Sequence, residues 1–335
     1  MKAFEHVLIT GGAGYVGSRL VPQLLSKGLK VTVFDIMYYG SRHLAPHRDL
    51  RVVSGDIRDT QAFAAAAAGC DAVIHLACIS NDASFELDEA LSRTVNYECF
   101  EPMVAAAKAA GVRRFVYASS SSVYGVSDSP NVTEDHPLVP LTLYNKYKGL
   151  CEPLLFKHQS RDFVCVTVRP ATICGHAPRL RLDLSVNILT NHAYHNRKIL
   201  VFGGAQMRPN LHIQDMCDLY ELMLRAHDDA VAGQIFNVGN QNMSIADISG
   251  VVRGIVRERS PGRTEIAVET TPTNDLRSYH INSEKVSRIL GFRPRFGVGD
   301  AVGDLCAAFE GGLVPESLTN DRYYNVRTMK ALQAR

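Results

Sequence analysis

The chain has 335 residues, of which 46% are hydrophobic and 21% charged, and its formal net charge is +2. This composition is ordinary for a globular protein with a sizeable core, and its charge balance excludes an electrostatic footprint for nucleic acid or an anionic membrane. No secretory leader, no apolar run of membrane-spanning length and no CxxC pair among the eight cysteines is visible, so we expect a cytoplasmic protein.

Short apolar runs alternate with helical stretches through the first half of the chain. The predicted strands are His6–Thr10, Lys30–Asp35, 51–54, 72–76, 114–119 and 163–169, and the predicted helices are 14–27, 88–110 and 141–159. These strands are apolar along nearly their whole length, as strands covered on both faces of a parallel sheet are. Together with the strand–helix alternation, they predict a doubly wound α/β fold.

The second half has a less regular pattern. Helices are predicted at 183–195, 215–229, 244–257 and 283–290, and short strands at 199–202 and Gln234–Val238. Prolines between these segments mark loops. We expect a smaller, mixed α/β domain that covers the carboxyl edge of the main sheet.

A glycine-rich turn joins the first predicted strand to the first predicted helix. Gly11, Gly14 and Gly17 have the spacing GxxGxxG, with Tyr15 and Val16 between the last two. Glycines at such a turn let the backbone approach a diphosphate, and the following helix supplies free N–H groups at its N-terminus. Three glycines also make plain strand–helix turns, but a strand before and a helix after favour a dinucleotide site.

Two acidic residues follow the next two strands. Asp35 closes the second strand, where a carboxylate accepts hydrogen bonds from ribose hydroxyls and repels a 2′-phosphate, so NAD is predicted rather than NADP. The alternative for Asp35 is a turn former at the strand end. Asp56 follows the third strand and is a candidate for an adenine contact, or for the cap of a helix over 60–67.

Tyr144 and Lys148 form a YxxxK pair on one face of the predicted helix at 141–159. A free tyrosine, with a pKa of roughly 10, is a poor base at neutral pH. A neighbouring ammonium and a positive nicotinamide favour its phenolate, which can take a proton from a sugar hydroxyl while hydride leaves. The same spacing also occurs in ordinary surface pairs. The serines at 119–122 leave the preceding strand at its carboxyl end, where α/β sheets bind ligands.

These features together resemble the extended short-chain dehydrogenase/reductase family, and within it the NDP-sugar epimerase/dehydratase branch that includes UDP-glucose 4-epimerases. The matching segments are GGAGYVG at 11–17, Asp35, HLA at 75–77, Asn96, SSSSVYG at 119–125, YNKYK at 144–148, RP at 169–170, VFG at 201–203, RPNLHIQD at 208–215 and Arg277. The resemblance implies a Rossmann-type NAD-binding domain over 1–173 with a return segment near 210–240, and a mainly nucleotide-sugar-binding domain over 174–335.

The resemblance also assigns roles to individual residues. It implies Tyr144 as the acid/base residue, Lys148 as its partner and ribose ligand, and Ser120 as the third catalytic residue. The residues implied to contact NAD are Gly11, Gly14, Tyr15, Val16, Gly17, Asp35, Ile36, Asp56, Ile57, Leu76, Ala77, Asn96, Ser119, Tyr144, Lys148 and Arg169. Those implied to contact the nucleotide sugar are Cys78, Ser121, Ser122, Thr172, Asn187, Arg208 and Arg277. Arginine suits phosphate because its planar fork donates two hydrogen bonds, although Arg208 also fits a surface salt bridge.

Several positions depart from the family pattern and narrow the expected reaction. The 4,6-dehydratases carry an acidic pair where this chain has Ser121 and Ser122, and serine is no general acid or base near neutral pH. A dehydratase is therefore not expected. Thr172 replaces a usual asparagine. The basic segment at 179–181 either reaches a phosphate or is solvated, and His75 fits a structural role in a buried strand.

The leading hypothesis is a nucleotide-sugar epimerase that oxidises the sugar transiently at C4 with bound NAD. The second is a net C4 dehydrogenase or keto-reductase of such a sugar. The third, of another class, is a non-catalytic NAD-binding regulator, against which the intact catalytic trio argues. No metal site is predicted, because the histidines lack metal-ligand spacing. A homodimer through the helices near 96–110 and 141–159 is the family expectation.

Overall fold

The computed structural model describes residues 4–127, 129, 131–260, 265–273 and 278–333. Its strands are β1 (His6–Thr10), β2 (Lys30–Asp35), β3 (Leu50–Ser54), β4 (Ala72–His75), β5 (Arg114–Ala118), β6 (Val164–Pro170), β7 (Thr172–Cys174), β8 (Lys198–Phe202), β9 (Met207–His212), β10 (Gln234–Val238), β11 (Gln241–Ser244) and β12 (Ala267–Thr271).

The α-helices of the same residues are α1 (Gly17–Ser26), α2 (Thr60–Ala67), α3 (Asp82–Phe85), α4 (Glu89–Arg93), α5 (Phe100–Ala109), α6 (Leu143–Phe156), α7 (Ser185–Asn196), α8 (Ile213–Arg225), α9 (Asp228–Val231), α10 (Ile245–Arg259), α11 (Glu284–Leu290), α12 (Val298–Glu310) and α13 (Asn325–Gln333). A π-helical turn spans Thr94–Glu98, and 3₁₀ turns span Ser121–Tyr124 and Asp321–Tyr323.

Within the described part of the chain, seven strands form one parallel sheet in the order β10-β6-β5-β4-β1-β2-β3. The chain leaves β1 on one side toward β2 and later returns on the other side at β4, so the strand order reverses between these neighbours. Ligands of open α/β sheets bind outside the carboxyl ends of the strands at such a point. The predicted Rossmann-type doubly wound fold is confirmed.

Alternate side chains of the central strands are buried on opposite faces of the sheet. Val7 and Ile9 belong to the core layer that includes α1 and α8, whereas Leu8 packs in the layer with Phe63 and Phe100 of α2 and α5. Helices α1 and α8 pack together on one face, and α2 and α5 on the other. Burial on both faces explains why these strands read as continuous apolar runs.

The helix predicted over 88–110 is divided. Helix α4 leads into the π turn, and α5 starts at Phe100. Asn96, in the π turn, accepts a hydrogen bond from the Ile79 N–H (2.8 Å) and donates one to the Ile79 carbonyl (2.9 Å). The wider turn thus directs this amide into the loop after β4 rather than along the helix.

The second half adds two small sheets and a group of helices. Strands β11, β9 and β7 form one sheet, and β12 pairs with β8 in another. Helices α7, α10 and α12 pack on one another, and α12 and α13 were not predicted. None of the described helices combines the length and apolarity needed to cross a membrane. No cluster of three or more potential metal ligands occurs among the described residues.

Candidate active site

A cavity of about 820 Å³ lies at the carboxyl edge of the seven-stranded sheet, between the loops of the first half and elements of the second. Its lining brings together most of the residues predicted from sequence. These are Gly11, Gly14, Tyr15, Val16, Gly17, Asp35, Ile36, Asp56, Ile57, Leu76, Ala77, Cys78, Ser119, Ser120, Ser121, Ser122, Tyr144, Lys148, Thr172 and Arg208.

The glycine loop is tightly closed against the neighbouring backbone. Gly11 has φ +71°, and a Cβ there would lie 2.7 Å from the Ala77 nitrogen. At Gly17, the first residue of α1, a Cβ would lie 2.5 Å from the Gly12 carbonyl oxygen. Side chains are therefore excluded at both positions, and the start of α1 presents only backbone to the cavity. This arrangement fits a diphosphate group.

Asp35 joins the glycine loop to the end of β2. One carboxylate oxygen accepts a hydrogen bond from the Ala13 N–H (3.0 Å) and the other from the Met37 N–H (2.8 Å). Burial raises the pKa of Asp35, while these two N–H groups and Arg179 act in the opposite direction. Each oxygen keeps a lone pair for a ribose hydroxyl.

Asp56 pairs with Arg58, whose Nη2 lies 2.5 Å from Asp56 Oδ2, and this hydrogen bond lowers the pKa of Asp56. The alternative role for Asp56, capping of α2, is wrong. Asp59 is the N-cap and accepts hydrogen bonds from the Gln61 and Ala62 N–H groups.

Lys148 is held in place beneath the cavity. It is 3% exposed, and its Nζ donates to the Ala118 carbonyl at 2.7 Å and lies 5.1 Å from the centroid of the Tyr117 ring. Tyr144, one helical turn earlier, is half-buried. Burial raises the pKa of Tyr144 well above its usual value, Cys78 and Asp82 add to this effect, and Arg181 opposes it. The protein's own surroundings thus keep this hydroxyl protonated.

The serine loop, residues 119–122, forms a hydrogen-bond network that ends at α6. Ser120 caps the 3₁₀ turn by accepting from the Ser122 N–H (3.1 Å), and its hydroxyl lies 2.6 Å from that of Ser122. Ser122 donates in turn to Asn145 Oδ1 (2.5 Å). The Ser121 hydroxyl is buried and has no hydrogen-bond partner among the described residues. No carboxylate of the described residues takes part in the hydrogen bonds that join Ser120, Ser122 and Asn145.

Residues 7–239 match the family model of the NAD-dependent epimerase/dehydratase family. The chain belongs to this family. The match covers more than half of the sequence, and it confirms both the predicted family and the predicted cofactor, NAD.

Individual relatives of the chain carry out different reactions. It is 28% identical over 322 residues to a dTDP-glucose 4,6-dehydratase of Streptomyces niveus, covering 89% of this chain and 90% of that one. It is 27% identical over 320 residues to a UDP-glucose 4-epimerase of Lactobacillus helveticus, covering 86% and 92%. Among solved structures, MoeE5 in complex with UDP-glucuronic acid and NAD is 25% identical, with a TM-score of 0.79 and coverage of 92% and 99%. The chain is thus an epimerase/dehydratase-type enzyme, and these similarities do not single out one reaction.

Arg169 lies away from the cavity lining, contrary to its predicted role as a cofactor contact. It is 3% exposed, and its Nη2 and Nε donate to Glu152 at 2.6 and 3.0 Å. Its Nη1 donates to the Tyr124 hydroxyl (2.7 Å) and the Glu134 carbonyl (2.9 Å). Ser119, which lines the cavity, donates to the same Glu152 carboxylate at 2.6 Å. Arg169 therefore holds the serine loop in place through the Glu152 carboxylate that it shares with Ser119.

Asn96 and Asn187 are two further corrections, since neither lines the cavity. The Asn96 side-chain amide is hydrogen-bonded to the Ile79 N–H and carbonyl groups. Asn187 is fully buried, accepts from the Gly175 N–H (3.0 Å) and donates to the Tyr15 hydroxyl (3.1 Å). Both amides hold loops of the site through backbone or side-chain groups of the protein, so they position the site instead of contacting a ligand.

On the predicted substrate side, Thr172 and Arg208 line the cavity from β7 and β9, which belong to the same small sheet. Arg208 donates to the Met207 carbonyl (2.9 Å) and lies 5.7 Å from the centroid of the Tyr279 ring. Cys78 lines the cavity as a half-buried free thiol. Arg277, also predicted to bind the nucleotide sugar, lies outside the described residues.

The sequence left the basic segment at 179–181 undecided, and the idea that it is solvated is wrong. Arg179 and Arg181 are 6% and 9% exposed and line the cavity. Arg181 pairs with Asp183 (Nε–Oδ1 3.0 Å), and Asn325 of α13 reaches the same network. The alternation of charged residues with leucine over 179–183 was a usable signal for Arg179, Arg181 and Asp183. Asn325 carries no motif and was missed.

Proposed function

We propose that the protein is a NAD-dependent nucleotide-sugar epimerase that acts by transient oxidation at C4 of the sugar. The observation that supports this most is a single cavity lined by the glycine loop, Asp35, the serine loop, Tyr144 and Lys148. We assign the NAD contacts mainly to residues 1–173 with the segment near 210–240, and the sugar-nucleotide contacts mainly to 174–335.

NAD, when bound, supplies the hydride acceptor and donor of the reaction. The glycine loop would hold its diphosphate and Asp35 its adenosine ribose. Lys148, fixed by the Ala118 carbonyl, brings a positive charge to the nicotinamide end of the cavity. Because burial keeps Tyr144 protonated, its phenolate requires added positive charge nearby. Tyr144 then takes the proton from the sugar hydroxyl and returns it to the keto oxygen, with Ser120 hydrogen-bonded to that oxygen.

Ser121 and Ser122 favour epimerisation over 4,6-dehydration. Elimination of water across a carbon–carbon bond needs a general acid and a general base, and neither serine titrates near neutral pH. The Ser122 hydroxyl is moreover already bonded to Asn145 and Ser120. Since dehydratases are among the relatives, the reaction itself must be measured.

The test is incubation with UDP-glucose, UDP-glucuronic acid and dTDP-glucose, followed by mass spectrometry, NMR and NADH absorbance. An epimer of unchanged mass without net NADH supports the proposal. Accumulating NADH would establish the second candidate, a net C4 dehydrogenase, and a product lighter by one water would establish a dehydratase.

Tyr144→Phe should lower kcat by at least about 100-fold, the lower range for loss of general acid–base catalysis. Tyr147→Phe is the matched control, because this tyrosine lies on the same helix but stacks on Tyr97 (5.1 Å between centroids) and is not part of the cavity lining. Full turnover by Tyr144→Phe would overturn the mechanism. A homodimer through α5 and α6 and a cytoplasmic location stay predictions, and sedimentation velocity tests the first.

A further inference from the structure

The guanidinium group of Arg179 is an unusual component of the cavity wall. Its Cζ lies 3.7 Å from the centroid of the Tyr39 ring, and its Nη2 donates to Asn325 Oδ1 at 2.5 Å. Its Nε is buried and has no hydrogen-bond partner among the described residues. Arg179 is thus a cavity-lining residue whose guanidinium is oriented by two neighbours of the protein.

Arg179 also lacks a direct counter-ion. No carboxylate of the described residues lies within salt-bridge distance of it, whereas its neighbour Arg181 pairs with Asp183. Burial lowers the pKa of Arg179 to about 10, with Arg181 acting in the same direction and Tyr39, Asp183 and Asp35 opposing it. A buried cation without a partner is unfavourable, so the site is complete only when an anionic group lies beside it.

The position of Arg179 indicates which anion this is. Its backbone N–H donates to the Ser18 hydroxyl (3.1 Å), one residue into α1. The ring of Tyr39, on which its guanidinium stacks, follows Asp35 by four residues. The side chain therefore lies between the segment that follows Asp35 and the start of α1. A dinucleotide that runs from Asp35 past the glycine loop to Lys148 carries its diphosphate through this region.

We propose that Arg179 binds the diphosphate of NAD, so that the cofactor is held between the glycine loop of the first half of the chain and a cation of the second half. Tyr39 and Asn325 are its positioning residues. Asn325 opens α13, donates its N–H to Asp183 (3.1 Å) and its amide to Ser80 (2.9 Å). Cofactor retention thereby depends on the C-terminal helix. The proposal rests on the cofactor and not on the epimerase reaction.

The test compares ligands that contain or lack the diphosphate. Dissociation constants of NAD and ADP-ribose are measured by calorimetry, and that of adenosine by ligand-observed NMR, for wild type and Arg179→Gln. We expect NAD and ADP-ribose to weaken by about 10- to 100-fold, the usual range for a charge-assisted hydrogen bond, and adenosine by less than about twofold. Arg179→Lys should recover part of the loss, and Asn325→Ala should show the same ligand pattern more weakly.

Arg322→Gln is the control, because this exposed arginine lies in the 3₁₀ turn just before α13, stacks on Tyr323 and is not part of the cavity lining. It should bind all three ligands as wild type does. Equal weakening of adenosine and ADP-ribose in Arg179→Gln would show a structural role and overturn the proposal. Unchanged NAD affinity with a raised KM for the nucleotide sugar would assign Arg179 to the substrate instead, and would also overturn it.

Discussion

Replacement of Arg169 by methionine should destabilise the protein without weakening NAD binding. The guanidinium is 3% exposed and makes two hydrogen bonds to Glu152, which is itself 3% exposed. Methionine keeps much of the apolar stem but leaves the Glu152 carboxylate buried, with the Ser119 hydroxyl as its remaining donor among the described residues. Removal of one partner from a buried ion pair costs about 3–5 kcal/mol, a large part of the roughly 5–15 kcal/mol that stabilises a typical domain.

Urea unfolding of four proteins measures this cost: wild type, Arg169→Met, Glu152→Gln and the double variant. Each single change should lower the unfolding free energy by about 3–5 kcal/mol, because it leaves the other charge buried alone. The double change should lower it by clearly less than the sum, because the double variant holds no lone buried charge. NAD affinity of the folded Arg169→Met protein should stay within about twofold of wild type, because Arg169 does not line the cavity. Loss of a charge-assisted hydrogen bond to NAD would weaken binding by more than about twofold. A tenfold loss of NAD affinity at unchanged stability would refute this reasoning and restore Arg169 as a cofactor ligand.

Three further outcomes follow from the described geometry. Burial, with Lys148 adding to it, lowers the pKa of His75 from 6.5 to about 3, so the unfolded chain alone takes up this proton as pH falls below 6.5. Between pH 6.5 and 5, the unfolding free energy of His75→Gln should therefore fall by about 2 kcal/mol less than that of wild type. Urea unfolding at each pH measures both values, and an equal fall in the two proteins would contradict this. Gly17→Ala places a Cβ 2.5 Å from the Gly12 oxygen and should weaken NAD binding at least about tenfold in calorimetry, whereas Gly250→Ala, with nothing within 4 Å, should not. Asp35→Asn should lower the ratio of NAD affinity to NADP affinity by about tenfold in the same assay, and an unchanged ratio would argue against a role of Asp35 in binding the ribose.

Much of the first half could be predicted because each strand of the parallel sheet is buried on both faces and is therefore an apolar run. The four-residue strand Gln241–Ser244 has no such run, since its side chains are exposed or half-buried, and no apolar pattern marks it. The division of the helix at 88–110 was missed for a related reason. A π turn inserts one residue per turn without interrupting the polar and apolar pattern enough to be seen.

The site was predictable where backbone or spacing determines the chemistry. The glycine loop, Asp35 and the Tyr144–Lys148 pair all lie in the cavity. Arg169 and Asn187 have the right residue type for ligand contacts, but partners distant in sequence decide where their side chains point. Those partners include Glu152 for the first and Gly175 for the second. Sequence spacing does not contain this information.

Strand β10 completes the seven-stranded sheet by pairing with β6, although more than sixty residues separate the two in the chain. During synthesis, β6 leaves the ribosome long before its outer neighbour exists, and its buried edge stays unpaired until residue 238 has emerged. An unpaired, apolar edge is a template for wrong association. A fragment that stops at residue 173 should for the same reason aggregate.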